Sequence, residues 1–199
     1  MPHRVPFIGL TGGLGAGKSE ALRALAELGA ATLSTDAVVH ELLQGDELRD
    51  AVVGRLGPEV ARDGALDRSL IAERVFGDDG ARAWLEGELW PRVGARVAAW
   101  RSELENAEPP PRAAVVEVPL LFEAGMGPVF DHTIAVVADE SVRAERAGAR
   151  GHAAVAERTG RQLSQEEKSQ RADFTVRNDG TIDELKQSLS KVLGKIGRS

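Results

Sequence analysis

Gly12-Gly13-Leu14-Gly15-Ala16-Gly17-Lys18-Ser19 matches the spacing G-x-x-x-x-G-K-[ST] in full. That spacing serves one chemistry, the wrapping of a polyphosphate. Glycines let the backbone approach phosphate oxygens closely, so that successive N–H groups of Gly13, Leu14, Gly15, Ala16 and Gly17 point inward. Lys18 reaches the β- and γ-phosphates of a nucleotide such as ATP, and the Ser19 hydroxyl coordinates Mg²⁺. Among 25 basic residues only five are lysines, and Lys18 is the single lysine in the first 167 positions. A compact ammonium on a flexible stem fits inside such a loop, whereas a planar guanidinium does not. Glu20 adds a negative charge one residue beyond the serine. It either supports the first helical turn or points inward and weakens nucleotide binding, and both readings stay open.

Two further carboxylates are candidates for chemistry. Asp36 follows the second apolar run, at the edge where open α/β sheets bind ligands. There it would accept the proton of an acceptor hydroxyl and orient it for in-line attack; as a short acid before Ala37 it reads equally well as a helix cap. Glu117 closes the run Val115-Val116, where a carboxylate commonly holds Mg²⁺-bound water. The base-reading N-K-x-D of GTPases is missing. A small kinase or a nucleotide-gated switch remains.

Arginines form the third group. Residues 143–177 carry 8 basic and 5 acidic side chains, against 9 basic and 14 acidic over residues 45–108. Converging arginines neutralise charge on a transferring phosphoryl group. Arg146 and Arg150, four apart, share one helix face and are the best candidates; a solvated helix with pairs such as Glu157–Arg161 is the plainer account of any single arginine.

The elements that must position these groups follow from apolar patterning. Residues 4–10, 31–33, 113–118 and 132–138 are short buried-strand runs, with a weaker one at 173–176. Residues 19–28 and 37–43 read as helices, with Gly29 as a stop. Residues 45–108 show no strand pattern and read as helices carrying all three tryptophans, and the proline-rich stretch 105–112 leads back to the next strand. Strand–helix–strand alternation gives an α/β architecture, a parallel sheet covered by helices with a helical insertion.

Composition bounds the partners. A net charge of -6 argues against a nucleic-acid binder, and no apolar run approaches the span of a bilayer. Absence of cysteine excludes disulfides and thiol chemistry and suits a cytoplasmic location. A monomer or weak homo-oligomer binding small phosphorylated molecules is expected.

Over nearly its whole length the chain resembles the dephospho-CoA kinases. GLTGGLGAGKS at 9–19 resembles their phosphate loop, and VPLLFEAG at 118–125 resembles their most distinctive block. The acidic-lysine run Glu166-Glu167-Lys168, then Arg171-Ala172-Asp173 and Asn178-Asp179-Gly180-Thr181, resembles their C-terminal part. The resemblance implies a P-loop NTPase-type three-layer fold with a five-stranded parallel sheet. It places the nucleotide-binding core at 1–44 and 113–199, a lid at about 145–172 and an acceptor-binding helical insertion with linker at 45–112. It implies transfer of phosphoryl from ATP to the ribose 3′-hydroxyl of dephospho-CoA. Asp36, Lys18, Arg146 and Arg150 would be catalytic, Asn178 would lie beside ATP, and His40, Asp67, Arg68, Trp90, Leu120 and Leu121 would contact the acceptor. Two departures stand out: His40 occupies a position the family gives to arginine, and Trp90-Pro91 replaces a His-Pro pair. A kinase of another small molecule and a nonenzymatic ATP-gated module are the rival readings.

Overall fold

The computed structural model of the chain describes residues 5–148 and 162–197. Its elements fall into two compact units, Met1–Ser34 with Arg101–Ser199, and Thr35–Trp100.

The first unit is built on five parallel strands: β1 (Phe7–Gly12), β2 (Ala31–Ser34), β5 (Ala114–Glu117), β6 (His132–Val137) and β7 (Phe174–Arg177). Their order is β2-β5-β1-β6-β7, so β1 is central and hydrogen-bonds to β5 and β6. Every residue of β1 is buried, as expected of a strand covered on both faces. Its side chains alternate between two layers. Ile8 and Leu10 face a core shared with α1 (Lys18–Glu27) and α8 (Ile182–Ile196), which contribute Ala21, Leu25, Leu185, Leu189 and Leu193. Phe7, Gly9 and Thr11 face the other way. Phe7 stacks on Phe130 with ring centroids 4.8 Å apart, and a Cβ on Gly9 would come within 2.8 Å of the Phe130 ring. The remaining helices of this unit are α6 (Glu140–Gly148) and α7 (Gln165–Arg171). The strand ends are level: Glu117 pairs in register with Leu10 on one side and with Ser34 on the other. This edge carries the phosphate loop.

The second unit has its own core. Leu43 of α2 (Thr35–Gln44), Leu48, Val52 and Leu56 of α3 (Asp46–Leu56), and Ile71 and Val75 of α4 (Arg68–Val75) pack with Ala81 and Leu85 of α5 (Asp79–Glu105). Because the apolar face of α2 packs into this core, the helical unit begins at Thr35, ten residues before the boundary expected from the sequence. At its far end α5 runs on into the first unit, where the Arg101 guanidinium lies 4.3 Å above the Phe7 ring.

One expectation is corrected here. The stretch expected to hold no strand contains a two-stranded antiparallel ribbon, β3 (Ala61–Arg62) with β4 (Ala65–Leu66). Its turn is Asp63-Gly64, whose φ angles of 50° and 81° suit a two-residue hairpin turn of primed type. The Asp-Gly pair was the available signal; strands of two residues are too short to show alternation. Among the described residues, no helix is long and apolar enough to cross a membrane.

Candidate nucleotide and acceptor site

β1 ends at Gly12 and α1 starts at Lys18, so the glycine motif fills the turn between them. Gly17, the residue before α1, is in the left-handed region at φ 88° and gives the helix no side-chain cap. By contrast, α7 and α8 begin with complete capping boxes, Ser164 with Glu167 and Thr181 with Glu184. The first-turn N–H groups of α1 are therefore left for an anion. Lys18 curls back over the loop, its Nζ donating to the carbonyls of Gly12 at 3.0 Å and Gly13 at 3.1 Å. Ser19 stands exposed in the first turn.

Gly12, Gly15 and Gly17 are required by what presses on them from outside. A Cβ on Gly12 would collide with the Val136 carbonyl, and one on Gly17 would collide with the Asn178 amide. One on Gly15 would stand 2.7 Å from the Arg143 carbonyl oxygen, and one on Gly13 3.0 Å from Gln165 Cγ. Residues far along the sequence thus define the outer wall of the loop. Arg143 Nε donates to the Leu14 carbonyl at 2.9 Å, and Asn178 Nδ2 donates to the Ala16 carbonyl at 3.0 Å. Gln165 is held by two bonds to the backbone of Ala138, at 2.9 and 2.8 Å.

The question left open for Glu20 has an answer: its Oε2 lies 3.4 Å from Asn178 Nδ2, directed at the turn after β7. Arg146 reaches the same turn, donating from Nη1 to the Asn178 carbonyl at 3.1 Å. Beside it, Arg177 bridges Asp139 at 3.0 Å and Asp179 at 2.8 Å, and those bonds, the Asp139 one foremost, hold its pKa above the ordinary arginine value. Arg150 lies outside the described residues, as does the middle of the expected lid, residues 149–161.

Glu117 is buried at the end of β5. Beyond it the VPLLFE block folds back under the sheet. Leu121 is wholly buried against Gly9, so it packs the core, while Leu120 is half-buried. Lys168 of α7 is fully buried and ties this block down, with Nζ 2.6 Å from the Pro119 carbonyl and 2.9 Å from Glu123 Oε1. Thr11 donates to the same Pro119 carbonyl at 3.2 Å, and Leu163 N donates to Glu123 at 2.8 Å. These two sequence blocks, some 45 residues apart, are joined through a buried ion pair.

Among the candidate residues described in the helical unit, only Asp67 belongs to such a network. Asp36 is exposed and sits inside the first turn of α2, one residue past its start, with His40 exposed one turn on. A pocket of about 470 Å³ opens off the opposite side of α2, lined by Val38, Leu42, Leu48 and Arg92 among others. Asp67 is the cap of α4: it accepts from the backbone N–H of Ser69 at 2.9 Å and of Leu70 at 3.3 Å, and faces Arg62 at 3.5 Å. The Ser69 hydroxyl, these backbone donors and Arg62 hold its carboxyl below the ordinary aspartate value. Arg68 and Trp90 are exposed, Trp90 at 45%.

Sequence reasoning passed over Arg143 and Gln165. Arg143 stands three residues before Arg146 and so on the same helical face, which was the available signal. Nothing in the sequence distinguished Gln165 from any other residue in a first helical turn.

Comparison with known proteins agrees with this geometry. The dephospho-CoA kinase family model (CoaE) matches residues 6–184. The chain is 38% identical over 189 residues to the dephospho-CoA kinase of Protochlamydia amoebophila, covering 93% of each chain. Its fold superposes on the crystal structure of TT1252 from Thermus thermophilus with a TM-score of 0.80 and 32% identity, covering 96% of this chain and 98% of that one. It superposes on the dephospho-CoA kinase from Campylobacter jejuni with a TM-score of 0.62 and 24% identity, covering 96% and 97%, which speaks for the fold. A complete phosphate loop, its outer wall and a match that runs through both units together place this chain in the dephospho-CoA kinase family.

Proposed function

We propose that the protein transfers the γ-phosphoryl group of ATP to the ribose 3′-hydroxyl of dephospho-CoA, giving coenzyme A and ADP. The observation that carries this reading is the glycine loop feeding the uncapped start of α1, within a chain of this family. The acceptor oxygen forms a bond to the γ-phosphorus while the bond from that phosphorus to the β,γ-bridging oxygen breaks, and ADP leaves with that oxygen. The hydroxyl proton passes to the Asp36 carboxylate, whose exposure on α2 leaves it open to an incoming acceptor. Lys18 exchanges the carbonyls of Gly12 and Gly13 for phosphate oxygens and follows the charge as it builds on the leaving group. Arg146 is the described cation we assign to the charge of the transferring group, with Arg150, which lies outside the described residues, as a second.

Ser19 and Glu117 supply one hydroxyl and one carboxylate oxygen. That hard, sparse donor set fits Mg²⁺, which keeps most of its coordination sphere for water and phosphate oxygens. When bound, Mg²⁺ would neutralise charge on the β- and γ-phosphates. His40 and Trp90, exposed in the helical unit, are the side chains we assign to the acceptor there, with Arg68 as a further cation for its phosphates. The lack of cysteine fits a cytoplasmic setting.

The decisive measurement is ADP release by the purified protein with and without dephospho-CoA, alongside a panel of sugar and nucleoside acceptors. Release that depends on dephospho-CoA is expected. Equal release without it, or a clear preference for another acceptor, overturns the assignment.

A further inference from the structure

We propose that Arg143 is a positioning residue that presets the phosphate loop for its ligand by holding the Leu14 carbonyl on the loop's outer side. A trans peptide is planar, with its C=O and N–H pointing in opposite directions. When Arg143 Nε draws the Leu14 carbonyl outward at 2.9 Å, the N–H of Gly15 on the same peptide is turned the other way, into the loop. Asn178 does the same one peptide pair later, holding the Ala16 carbonyl at 3.0 Å and so turning the Gly17 N–H inward. Two outward carbonyls thus set two inward donors, the alternation that makes a backbone concavity attract anions.

Arg143 does more than make one bond. Its backbone closes over Gly15, with the carbonyl oxygen 2.7 Å and Cα 3.1 Å from where a Cβ would stand. Its Nη2 lies 3.5 Å from the corresponding point at Gly13. A single residue of α6 therefore covers three consecutive loop residues. The loop's own internal bond, Ala16 N to Gly13 O at 3.3 Å, is long and leaves the Leu14–Gly15 peptide without another holder among the bonds described. Fixing that peptide before the ligand arrives lowers the ordering cost of binding.

This inference rests on reading the loop as the ATP site, but its test needs no acceptor. Inorganic tripolyphosphate carries the phosphates of ATP without the base or ribose. Its affinity, and that of a non-hydrolysable ATP analogue, are measured by calorimetry for wild type, Arg143→Met and Arg143→Lys, with Tm recorded for each. Arg143→Met is expected to weaken both ligands by a similar factor of about tenfold, the scale of one hydrogen bond to a charged donor. In turnover assays KM for ATP rises by that factor while KM for dephospho-CoA stays put. Arg143→Lys, which restores a cationic donor, recovers part of the loss. Unchanged tripolyphosphate affinity in Arg143→Met with weakened analogue binding would mean contact with the base, and overturns the proposal. So does a loss of affinity for ATP and dephospho-CoA alike that merely tracks a fall in Tm, and so does failure of lysine to recover any affinity in a variant with wild-type Tm. If wild type binds tripolyphosphate but releases no ADP with dephospho-CoA, the acceptor assignment fails and the Arg143 proposal stands.

Discussion

The phosphate-loop region and the helical unit carry candidate residues in opposite ways. Around the loop, the candidate function lies in the backbone: carbonyls are held by Arg143 and Asn178, and Gly12, Gly15 and Gly17 are each pressed by a neighbour that leaves no room for a Cβ. In the helical unit, Asp36, His40, Arg68 and Trp90 are exposed side chains on helices whose cores are formed by other residues. The lesson is that the two regions should fail differently. Damage near the loop should appear in stability and nucleotide affinity together, whereas damage to the exposed residues should appear in turnover alone.

The largest expected effect tests the second half of that contrast. Asp36→Asn should cut kcat by about 10²–10⁴-fold with Tm unchanged, since the carboxylate would act on the acceptor proton and holds no described structural bond. Ordinary turnover by this variant would remove Asp36 as the base. The first half is tested by Lys168→Met, which strands the Glu123 carboxylate beneath the sheet. Breaking a buried ion pair in this way costs about 3–5 kcal/mol, measured by urea unfolding. The double variant with Glu123→Leu should recover most of that loss. Gly17→Ala comes next. The new methyl meets the Asn178 amide in a left-handed backbone position, so a loss of about 1–3 kcal/mol and a weaker ATP affinity should come together. If affinity fell with no change in unfolding, the glycine would be there for the ligand alone.

The smallest effect is a pH dependence. Asp67 has its carboxyl lowered in the folded state, so the stability it contributes is present above the ordinary aspartate value and is lost as pH falls through the folded value. Wild type should therefore lose a little more Tm than Asp67→Asn on acidification below that ordinary value, because asparagine caps α4 without titrating. Parallel pH profiles would show that the charge contributes nothing there.

Much of this was legible because it depended on local pattern. The loop, its flanking strand and helix, and four further strands follow from short apolar runs and glycine spacing, and the structure has all of them within a few residues. Which unit α2 joins could not be read, because its apolar residues look the same whichever core they enter; the packing of Leu43 with Leu48 and Val52 puts it with the helical unit. The ribbon at 61–66 hid behind strands of two residues. Arg143 and Lys168 were hidden for another reason. Their partners Leu14 and Pro119 are 129 and 49 residues away in sequence, and a carbonyl acceptor leaves no trace in residue type. Side-chain-to-backbone contacts of this kind are invisible to motif reasoning even where both ends lie in recognisable motifs.

The bare start of α1 has a consequence for the protein's life between turnovers. The helices beginning at Gln165 and Ile182 bring their own terminators, but α1 borrows one from whatever anion occupies the loop. Each nucleotide that binds is thus, thermodynamically, a missing cap supplied from solution. Apparent stability then follows nucleotide concentration by mass action, rising by about 2.7 kcal/mol when ligand stands a hundredfold above its Kd. In a cell depleted of ATP the enzyme would lose substrate and structural support together.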